Sequence, residues 1–369
     1  MESNSMTGPF MVVGGCGFLG HHIVNEIIAT VPGSPKIAIV DLNTDNKRHP
    51  CATYHNADIT RRDELAKVFE AVKPQIVFDT VSPHPATVDH ATLEKVNVVG
   101  TQNLIECAKA VGTVRAFVYT SSSSLVHDNK GPLIEATEDM PVFYYPDQPV
   151  YYSHTKALGE KIVLSANREC GMLTGSIRPA TMYGEGDGLL TTNLANTIRS
   201  GRAKYRFGTG DWLYAITYVE NCTHAQMLLA EALVKASKSA PLPADVRVEG
   251  EAFQVTNDEH IPFWDLQFLV AELAGRPVEK ENIKCLPVWL MWTIATISEW
   301  VYWVFSFGRK QPTVTRDIVR LTTNERTISI DKIKERLGYR PRFTNRESWV
   351  KTVKWMSPLL EASQEKKAA

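Results

Sequence analysis

The first ordered pattern in the chain is Phe10-Met11-Val12-Val13-Gly14-Gly15-Cys16-Gly17-Phe18-Leu19-Gly20, a short apolar run followed by evenly spaced glycines. The first four residues have the composition of a buried strand, and a helical pattern begins near Phe18. In such a strand-turn-helix unit, Gly14 and Gly17 let the backbone approach a pyrophosphate, and Gly20 lets the helix pack closely on the strand. The anion then meets the helix N-terminus. The stretch predicts a dinucleotide site, and a purely structural tight turn is the alternative.

The alternation of strand and helix continues along the chain. Short β-rich apolar runs, separated for the most part by helical patterns, occur at 36–42, 75–80, 116–120 and 173–177. Strands joined by such crossovers pair in parallel, so the pattern predicts an α/β fold with a doubly wound parallel Rossmann sheet. The alternation of strand and helix patterns becomes irregular from about Gly188. We therefore expect a dinucleotide-binding Rossmann domain over 8–187 and a smaller C-terminal substrate lobe over 188–369, part of which returns to the Rossmann domain.

Composition narrows the classes of function. The 369 residues are 44% hydrophobic, which indicates a globular chain. The formal net charge of -1 does not provide the positive charge that binding of nucleic acid requires. The six cysteines show no metal-ligand spacing, so we expect no metal site, no disulfide framework and a reducing compartment. The N-terminus lacks the pattern of a secretory signal. We therefore expect a small-molecule substrate and no nucleic acid partner.

The end of the second strand bears on the identity of the dinucleotide. Asp41 follows the apolar run 37–40, where a carboxylate accepts hydrogen bonds from a ribose diol and repels a 2′-phosphate. This favours NAD as the cofactor, whereas the neighbouring Lys47 and Arg48 leave NADP open. A helix or turn cap is the structural alternative for Asp41.

A second motif, Tyr152-Ser153-His154-Thr155-Lys156, lies in a helical pattern. A phenol titrates near pH ~10 and acts as an acid or base near neutral pH only when a cation lowers its pKa. The spacing of four residues places the Lys156 ammonium one turn from the Tyr152 phenol on the same helix face. Together with the glycine motif, this predicts hydride transfer. A surface tyrosine beside a lysine is the alternative.

A run of four serines, Ser121-Ser122-Ser123-Ser124, closes the predicted strand 116–120. It lies at the carboxyl edge, where open α/β sheets bind their ligands, and a hydroxyl there could hold a substrate oxygen. Successive strand residues face opposite sides, so chemistry alone does not select one serine. A polar strand end is an equal alternative.

Taken together, these motifs resemble the extended short-chain dehydrogenase/reductases. The shared features are the glycine spacing, Asp58, Asn97, the serine run, Tyr152 with Lys156, Arg178-Pro179 and Tyr183-Gly184. Within that superfamily the chain is most similar to the 3β-hydroxysteroid dehydrogenase family, in particular the fungal sterol-4α-carboxylate 3-dehydrogenases (decarboxylating). The segments that carry this similarity are 119–122, 151–158, 250–253 and 263–265.

The resemblance implies roles for individual residues. Ser122 matches the catalytic serine, Tyr152 the catalytic acid/base, and Lys156 the lysine that lowers the pKa of Tyr152 and holds the nicotinamide ribose. Asn97 matches a structural asparagine, and Asp58 matches an adenine-contacting position. The implied cofactor-binding residues are Gly14, Gly17, Phe18, Leu19, Gly20, Asp41, Asp58, Ile59, Tyr152, Lys156 and Pro179. The chain departs from close relatives at 81–85 and at 180–183, the latter near the expected nicotinamide and substrate pocket.

The implied activity is NAD-dependent oxidation of the 3β-hydroxyl of a sterol or triterpenoid 4-carboxylate to the 3-ketone with loss of CO₂, in sterol or specialised triterpenoid biosynthesis. Two alternatives stay open. One is a hydroxysteroid or ketone oxidoreductase of a specialised-metabolite pathway that does not decarboxylate its substrate. The other is an inactive NAD-binding scaffold.

The segment 286–307 is strongly apolar, rich in tryptophan and followed by Arg309 and Lys310. Aromatic residues and a basic flank are typical of membrane interfaces, whereas the charge of Glu299 would be costly inside a span. We expect peripheral or monotopic attachment to the cytosolic face of the endoplasmic reticulum membrane. A buried or pocket-lining helix, a true span and a cytoplasmic location are the alternatives. A homodimer is compatible with the sequence.

Overall fold

The computed structural model describes residues 6–83, 88–306 and 314–361. Across these residues the strands are β1 (Phe10–Val13), β2 (Ile37–Asp41), β3 (Ala52–Asn56), β4 (Ile76–Asp79), β5 (Ala116–Thr120), β6 (Leu133–Ala136), β7 (Leu173–Pro179), β8 (Thr181–Tyr183), β9 (Tyr205–Phe207), β10 (Leu213–Tyr214), β11 (Ile216–Tyr218), β12 (Glu251–Val255), β13 (Ile261–Pro262), β14 (Lys284–Leu286) and β15 (Arg326–Ile328). The helices are α1 (Phe18–Thr30), α2 (Arg62–Val72), α3 (His90–Glu94), α4 (Thr101–Val111), α5 (Tyr151–Ser165), α6 (Leu190–Arg199), α7 (Val219–Ala236), α8 (Phe263–Leu273), α9 (Val288–Ser306), α10 (Arg316–Thr323), α11 (Asp331–Leu337) and α12 (Asn345–Glu361).

The largest element is a seven-stranded sheet with the order β12-β7-β5-β4-β1-β2-β3. All of its neighbouring strands pair in parallel. The chain builds outward from β1 to β3 and then crosses back to β4, so the strand order reverses between β1 and β4. Ligands of open α/β sheets bind outside the carboxyl ends of the strands at such a switch point. The predicted doubly wound Rossmann fold is confirmed.

Five strands of this sheet match the predicted apolar runs, and β1 and β5 have the predicted bounds. Strand β3 was not predicted because it is an edge strand of mixed composition, Ala-Thr-Tyr-His-Asn, whose side chains are all at least partly exposed. Strand β12 was not predicted as a strand either. It completes the opposite edge of the sheet by pairing with β7.

Alternate residues of each strand enter two apolar layers. In β1, Phe10 and Val12 belong to a layer that includes side chains of α1 and α7. Met11 and Val13 belong to the layer formed with α2, α4 and α5. Burial on both faces explains the continuous apolar runs of the central strands.

Smaller sheets lie apart from the seven-stranded layer. They are the four-stranded sheet β13-β10-β15-β6 and the pairs β11-β8 and β14-β9. Since β8 begins directly after β7, the β11-β8 pair lies near the carboxyl edge of the large sheet. Two elements that follow residue 188, α7 and β12, belong to the large sheet and the apolar layer on it. Strand β6 precedes residue 188 but belongs to a small sheet. The division at residue 188 stays a prediction.

Helix α9 packs on the protein through one narrow face. Met291 and Ala295 are buried against Val319 of α10, whereas the side chains of residues 300–305, the apolar end of α9, are all exposed. This exposure argues against the alternative of a buried helix. None of the described helices combines the length and hydropathy that crossing a membrane requires. Phe307, Arg309 and Lys310 lie outside the described residues.

Candidate active site

The glycine turn after β1 has a shape that excludes side chains. Gly14 has a φ of +80°, and a Cβ there would lie 2.8 Å from Thr80 Oγ1. A Cβ at Gly20 would overlap the carbonyl oxygen of Gly14, so α1 packs directly on the turn. Phe18 and Leu19 begin α1, and Leu19 is buried. This backbone cradle at a helix N-terminus fits a dinucleotide pyrophosphate.

Asp41 lies at the end of β2, beside the glycine turn. Its two carboxylate oxygens accept hydrogen bonds from the backbone N–H groups of Cys16, at 3.0 Å, and Leu42, at 2.8 Å. The carboxylate therefore ties the turn to β2. Each oxygen keeps a lone pair, so the side chain retains acceptor capacity at the edge where a ribose is expected.

Two cations follow Asp41 on an exposed loop. Lys47 Nζ donates a hydrogen bond to the carbonyl oxygen of Gly17 at 3.3 Å. The guanidinium carbon of Arg48 lies 4.5 Å from the centre of the Tyr54 ring. Lys47 thus brings a positive charge to the glycine turn, which suits the phosphates of either dinucleotide.

The predicted adenine-side residues follow β3. The Asp58 carboxylate accepts a hydrogen bond from the backbone N–H of Thr60 at 2.9 Å. Ile59 is buried, and its carbonyl oxygen accepts a hydrogen bond from the Asn103 amide at 3.0 Å. These contacts fix the connection between β3 and α2 against α4. A role in binding adenine stays a prediction.

Asn97 lies in a π-helical turn, Lys95–Gly100, between α3 and α4. π-Helical turns often occur near functional sites. Its side chain is buried, and Nδ2 donates a hydrogen bond to Thr155 Oγ1 at 3.0 Å. Because Thr155 lies in α5 between Tyr152 and Lys156, this bond fixes the helix that carries both predicted catalytic residues.

Tyr152 is the second residue of α5 and is half-buried. Ser82 Oγ donates a hydrogen bond to its phenol oxygen at 3.4 Å. Burial raises the pKa of Tyr152, and the hydrogen bond from Ser82 opposes this change. Ser82 lies in the segment 81–85, where the sequence differs from close relatives. His84 and Pro85 of this segment fall outside the described residues. The contact of Ser82 with the phenol was not anticipated.

Lys156, one helical turn after Tyr152, is 1% exposed. Its Nζ lies 4.3 Å from the centre of the Tyr119 ring, a cation–π contact between α5 and β5. Burial lowers the pKa of Lys156 to about 8, and the carboxylates of Asp79 and Glu160 oppose that shift. The structure therefore places the ammonium inside the protein, against the sheet.

Asp79 is a buried carboxylate that the sequence analysis missed. It ends β4 in register with Tyr119 of β5, and parallel neighbours in register point to the same face. Burial raises the pKa of Asp79 to about 6, and the charge of Lys156 opposes the shift. Asp79, Tyr119 and Lys156 therefore form one buried polar group. The feature of the sequence that could have indicated this carboxylate is its position directly after the apolar run Ile76-Val77-Phe78.

Ser122 follows β5 and precedes a 3₁₀ turn over Ser123–Val126. Its Oγ accepts a hydrogen bond from the backbone N–H of Ser124 at 3.2 Å and lies 2.8 Å from Ser124 Oγ. Ser124 Oγ in turn lies 2.7 Å from Ser153 Oγ of α5. A row of three hydroxyl groups therefore connects the predicted catalytic serine to the helix that carries Tyr152.

The end of β7 borders the site. Arg178 makes a buried ion pair with Glu160 of α5, with 2.9 Å between Nε and Oε2. Pro179 ends the strand in register with Val255. The departing segment 180–183 includes β8, so it forms part of the β11-β8 pair. Among the described residues, no group of three or more histidine, cysteine or acidic side chains could hold a metal ion.

Comparisons with known proteins identify the family of the chain. The profile of the 3-beta hydroxysteroid dehydrogenase/isomerase family matches residues 11–288. A 3beta-hydroxysteroid-dehydrogenase/decarboxylase of Arabidopsis thaliana is 33% identical over 369 residues, which cover 96% of this chain and 81% of the plant protein. A decarboxylating sterol-4-alpha-carboxylate 3-dehydrogenase of Saccharomyces cerevisiae is 30% identical over 362 residues, 94% of this chain and 97% of the yeast protein.

Solved structures support the fold. The dTDP-glucose 4,6-dehydratase of Bacillus anthracis, determined in complex with NAD, has a TM-score of 0.67 and 17% identity over 97% of this chain and 98% of that one. At this identity the similarity concerns the fold alone.

Proposed function

Because the chain belongs to the 3-beta hydroxysteroid dehydrogenase/isomerase family, we propose that it oxidises the 3β-hydroxyl of a sterol or triterpenoid 4-carboxylate to the 3-ketone, with loss of CO₂. The plant and yeast relatives are named as dehydrogenases that decarboxylate. One structural observation carries the proposal: the hydrogen bond between the hydroxyl groups of Ser124 and Ser153 joins the segment of Ser122 to the helix of Tyr152. We assign the reaction to sterol or specialised triterpenoid biosynthesis.

NAD is the cofactor in this proposal. The glycine turn would hold the pyrophosphate, Asp41 the adenosine ribose, and Asp58 with Ile59 the adenine. Lys156 and Pro179 would border the nicotinamide end. When bound, NAD⁺ supplies the acceptor for the hydride that leaves the carbinol carbon.

Tyr152 is the proposed general base. As a phenolate it takes the hydroxyl proton of the substrate while the carbon–oxygen double bond forms. Burial raises the pKa of the phenol, and the hydrogen bond from the Ser82 hydroxyl opposes that change. In this proposal the ammonium of Lys156, one helical turn away, also favours the phenolate. Ser122 donates a hydrogen bond to the substrate oxygen, which fixes that oxygen beside Tyr152.

Loss of CO₂ follows from the product of oxidation. A ketone at C3 turns a 4-carboxylate into a β-keto acid, in which the electron pair of the bond between C4 and the carboxylate carbon moves toward the ketone oxygen. An enolate and CO₂ result, and C4 then takes up a proton. Ser122 and the protonated Tyr152 donate hydrogen bonds to the enolate oxygen, where negative charge develops.

The test incubates the purified full chain and NAD⁺ with a 3β-hydroxy-4α-carboxy sterol while NADH absorbance and the organic product are followed. We expect NADH with a 3-ketone that has lost the carboxyl carbon. A 3-ketone that retains its carboxylate would replace the proposal with a plain dehydrogenase. Ketone formation with NADP⁺ and not with NAD⁺ would overturn the cofactor assignment.

We also propose that the apolar end of α9 attaches the protein to the cytosolic face of the endoplasmic reticulum membrane. Trp300, Trp303 and Phe305 are 67%, 66% and 82% exposed. Several large aromatic side chains exposed this close together are unusual on the surface of a soluble protein. Glu299, which precedes them, forms an ion pair with Arg316 at 2.6 Å, so its charge is compensated within the protein. Tryptophans at the tip of a helix suit the headgroup region of a bilayer.

Flotation with phosphatidylcholine and phosphatidylserine vesicles tests this attachment. The double variant Trp300→Ser/Trp303→Ser removes the two tryptophans and is expected to abolish co-flotation of the full chain. Trp355→Ser, on α12, is the matched control because it removes a 40% exposed tryptophan elsewhere. Equal flotation of both variants would contradict the attachment. A homodimer, which is compatible with the sequence, is not tested by this experiment.

A further inference from the structure

We propose that Ser124 is a positioning residue that directs the hydroxyl proton of Ser122 toward the reacting oxygen of the substrate, with Ser153 as its anchor on α5. The proposal rests on the oxidation assigned above, in which Ser122 must act as a hydrogen-bond donor. It assigns a function to two serines that the glycine and tyrosine motifs leave unexplained.

The lone pairs of Ser122 decide what its hydroxyl does. A serine hydroxyl has one proton to donate and two lone pairs to accept hydrogen bonds. The backbone N–H of Ser124 occupies one lone pair of Ser122 Oγ at 3.2 Å. When the Ser124 hydroxyl, 2.8 Å away, donates to the second lone pair, Ser122 has only its proton left, and that proton points away from Ser124.

Ser153 determines the direction of this row. Ser124 has a single proton, so it donates to Ser122 only when it accepts from Ser153, 2.7 Å away. Ser153 is 1% exposed, so water does not compete freely for its hydroxyl. The row Ser153 to Ser124 to Ser122 then ends in a proton offered to the substrate. Each hydroxyl keeps its own hydrogen, so the row carries no net proton.

This orientation is the one that oxidation requires. Negative charge grows on the substrate oxygen as its proton moves to Tyr152, and a donor already aimed at that oxygen stabilises the transition state without reorganisation. The reverse direction would leave the proton of Ser122 engaged with Ser124 and would offer the substrate a lone pair.

The backbone of the serine turn is held independently of the Ser124 hydroxyl. Gln148, which is fully buried, donates from Nε2 to the carbonyl oxygens of Ser124, at 3.1 Å, and His127, at 2.8 Å. Leu125 and Val126 are also buried. Because the Ser124 N–H also survives substitution by alanine, Ser124→Ala removes the hydroxyl and retains the contacts that define the turn.

A double-mutant cycle tests the proposal. The native chain, Ser122→Ala, Ser124→Ala and Ser122→Ala/Ser124→Ala are compared by kcat, by KM for the sterol and by the Kd of NAD⁺ from protein fluorescence. We expect Ser124→Ala to lower kcat about tenfold, the size of one positioned hydrogen bond, with the Kd of NAD⁺ unchanged. In the Ser122→Ala background the same substitution should have no further effect, because the residue through which it acts is gone.

Conservative and control variants separate positioning from stability. Ser124→Thr keeps a hydroxyl and should restore most of kcat, Ser153→Ala should lower kcat in the same direction, and Ser165→Ala, exposed on α5, should leave it unchanged. An unaltered kcat in Ser124→Ala, or an equal loss with and without Ser122, would overturn the proposal. Absence of any turnover by the native chain would instead reject the proposed function.

Discussion

Asp79 and Lys156 set the electrostatics of the candidate site at the residue scale. Both side chains are 1% exposed, and each charge favours the ionised form of the other because water does not screen them. Burial nevertheless raises the pKa of Asp79 to about 6 and lowers that of Lys156 to about 8. The two groups are therefore both ionised in a window around neutral pH, between these values.

The alkaline limit of activity should depend on the ionisation of Lys156 beside Asp79. Lys156 loses its proton as pH rises through about 8, so kcat/KM for NAD⁺ should fall there. The ionised carboxylate of Asp79 raises the pKa of Lys156, so Asp79→Asn should lower that pKa and move the alkaline limb to lower pH. Rate profiles between about pH 6 and about pH 10 measure this.

An exposed aspartate supplies the control for that shift. Asp63 lies in the first turn of α2 and is exposed, and it is not among the charges that shift the pKa of Lys156, so Asp63→Asn removes the same charge from the surface. Its alkaline limb should coincide with that of the native chain. Identical limbs in Asp79→Asn and Asp63→Asn would show that the buried carboxylate does not act on Lys156.

At the scale of elements, the glycine turn and α1 could be predicted because their determinants are local. Glycines spaced by three residues specify a tight turn, and the adjoining apolar residues specify the strand and the helix. The row of serine hydroxyls could not be predicted in the same way. It depends on a 3₁₀ turn that returns Ser124 to Ser122, and on packing that brings Ser153 from 29 positions along the chain.

Close packing of α1 on the glycine turn leads to a stability prediction. A Cβ at Gly20 would overlap backbone atoms of Gly14 and Gly15, and backbone cannot move aside as a flexible side chain does. Gly20→Ala should therefore lower the free energy of unfolding by about 2 kcal/mol or more and weaken NAD⁺ binding. Urea denaturation and fluorescence titration measure the two effects.

Gly131 supplies a matched position for the same substitution. A Cβ there would meet no atom within 4 Å, so Gly131→Ala should change the free energy of unfolding by less than about 0.5 kcal/mol. Equal stability of the two variants would contradict the close packing of α1 on the turn.

At the scale of the whole molecule, the architecture follows from the order of strands and helices, and the family resemblance is confirmed by the match over residues 11–288. The contacts of individual side chains were less predictable. The spacing of Tyr152 and Lys156 predicts that they share a helix face, but the position of the Lys156 ammonium against Tyr119 depends on the sheet beneath it. Ser82 and Asp79 likewise come from a distant part of the chain, so only the fold brings them to α5.

The most direct test of the proposed reaction is the ratio of CO₂ to NADH. A 3β-hydroxy-4α-carboxy sterol labelled with ¹³C in the carboxylate is incubated with the full chain and NAD⁺, and ¹³CO₂ is measured by mass spectrometry beside NADH absorbance. The account predicts one ¹³CO₂ for each NADH, and neither product with Tyr152→Phe. NADH formed while the label stays in the sterol, or undiminished NADH formation by Tyr152→Phe, would contradict it.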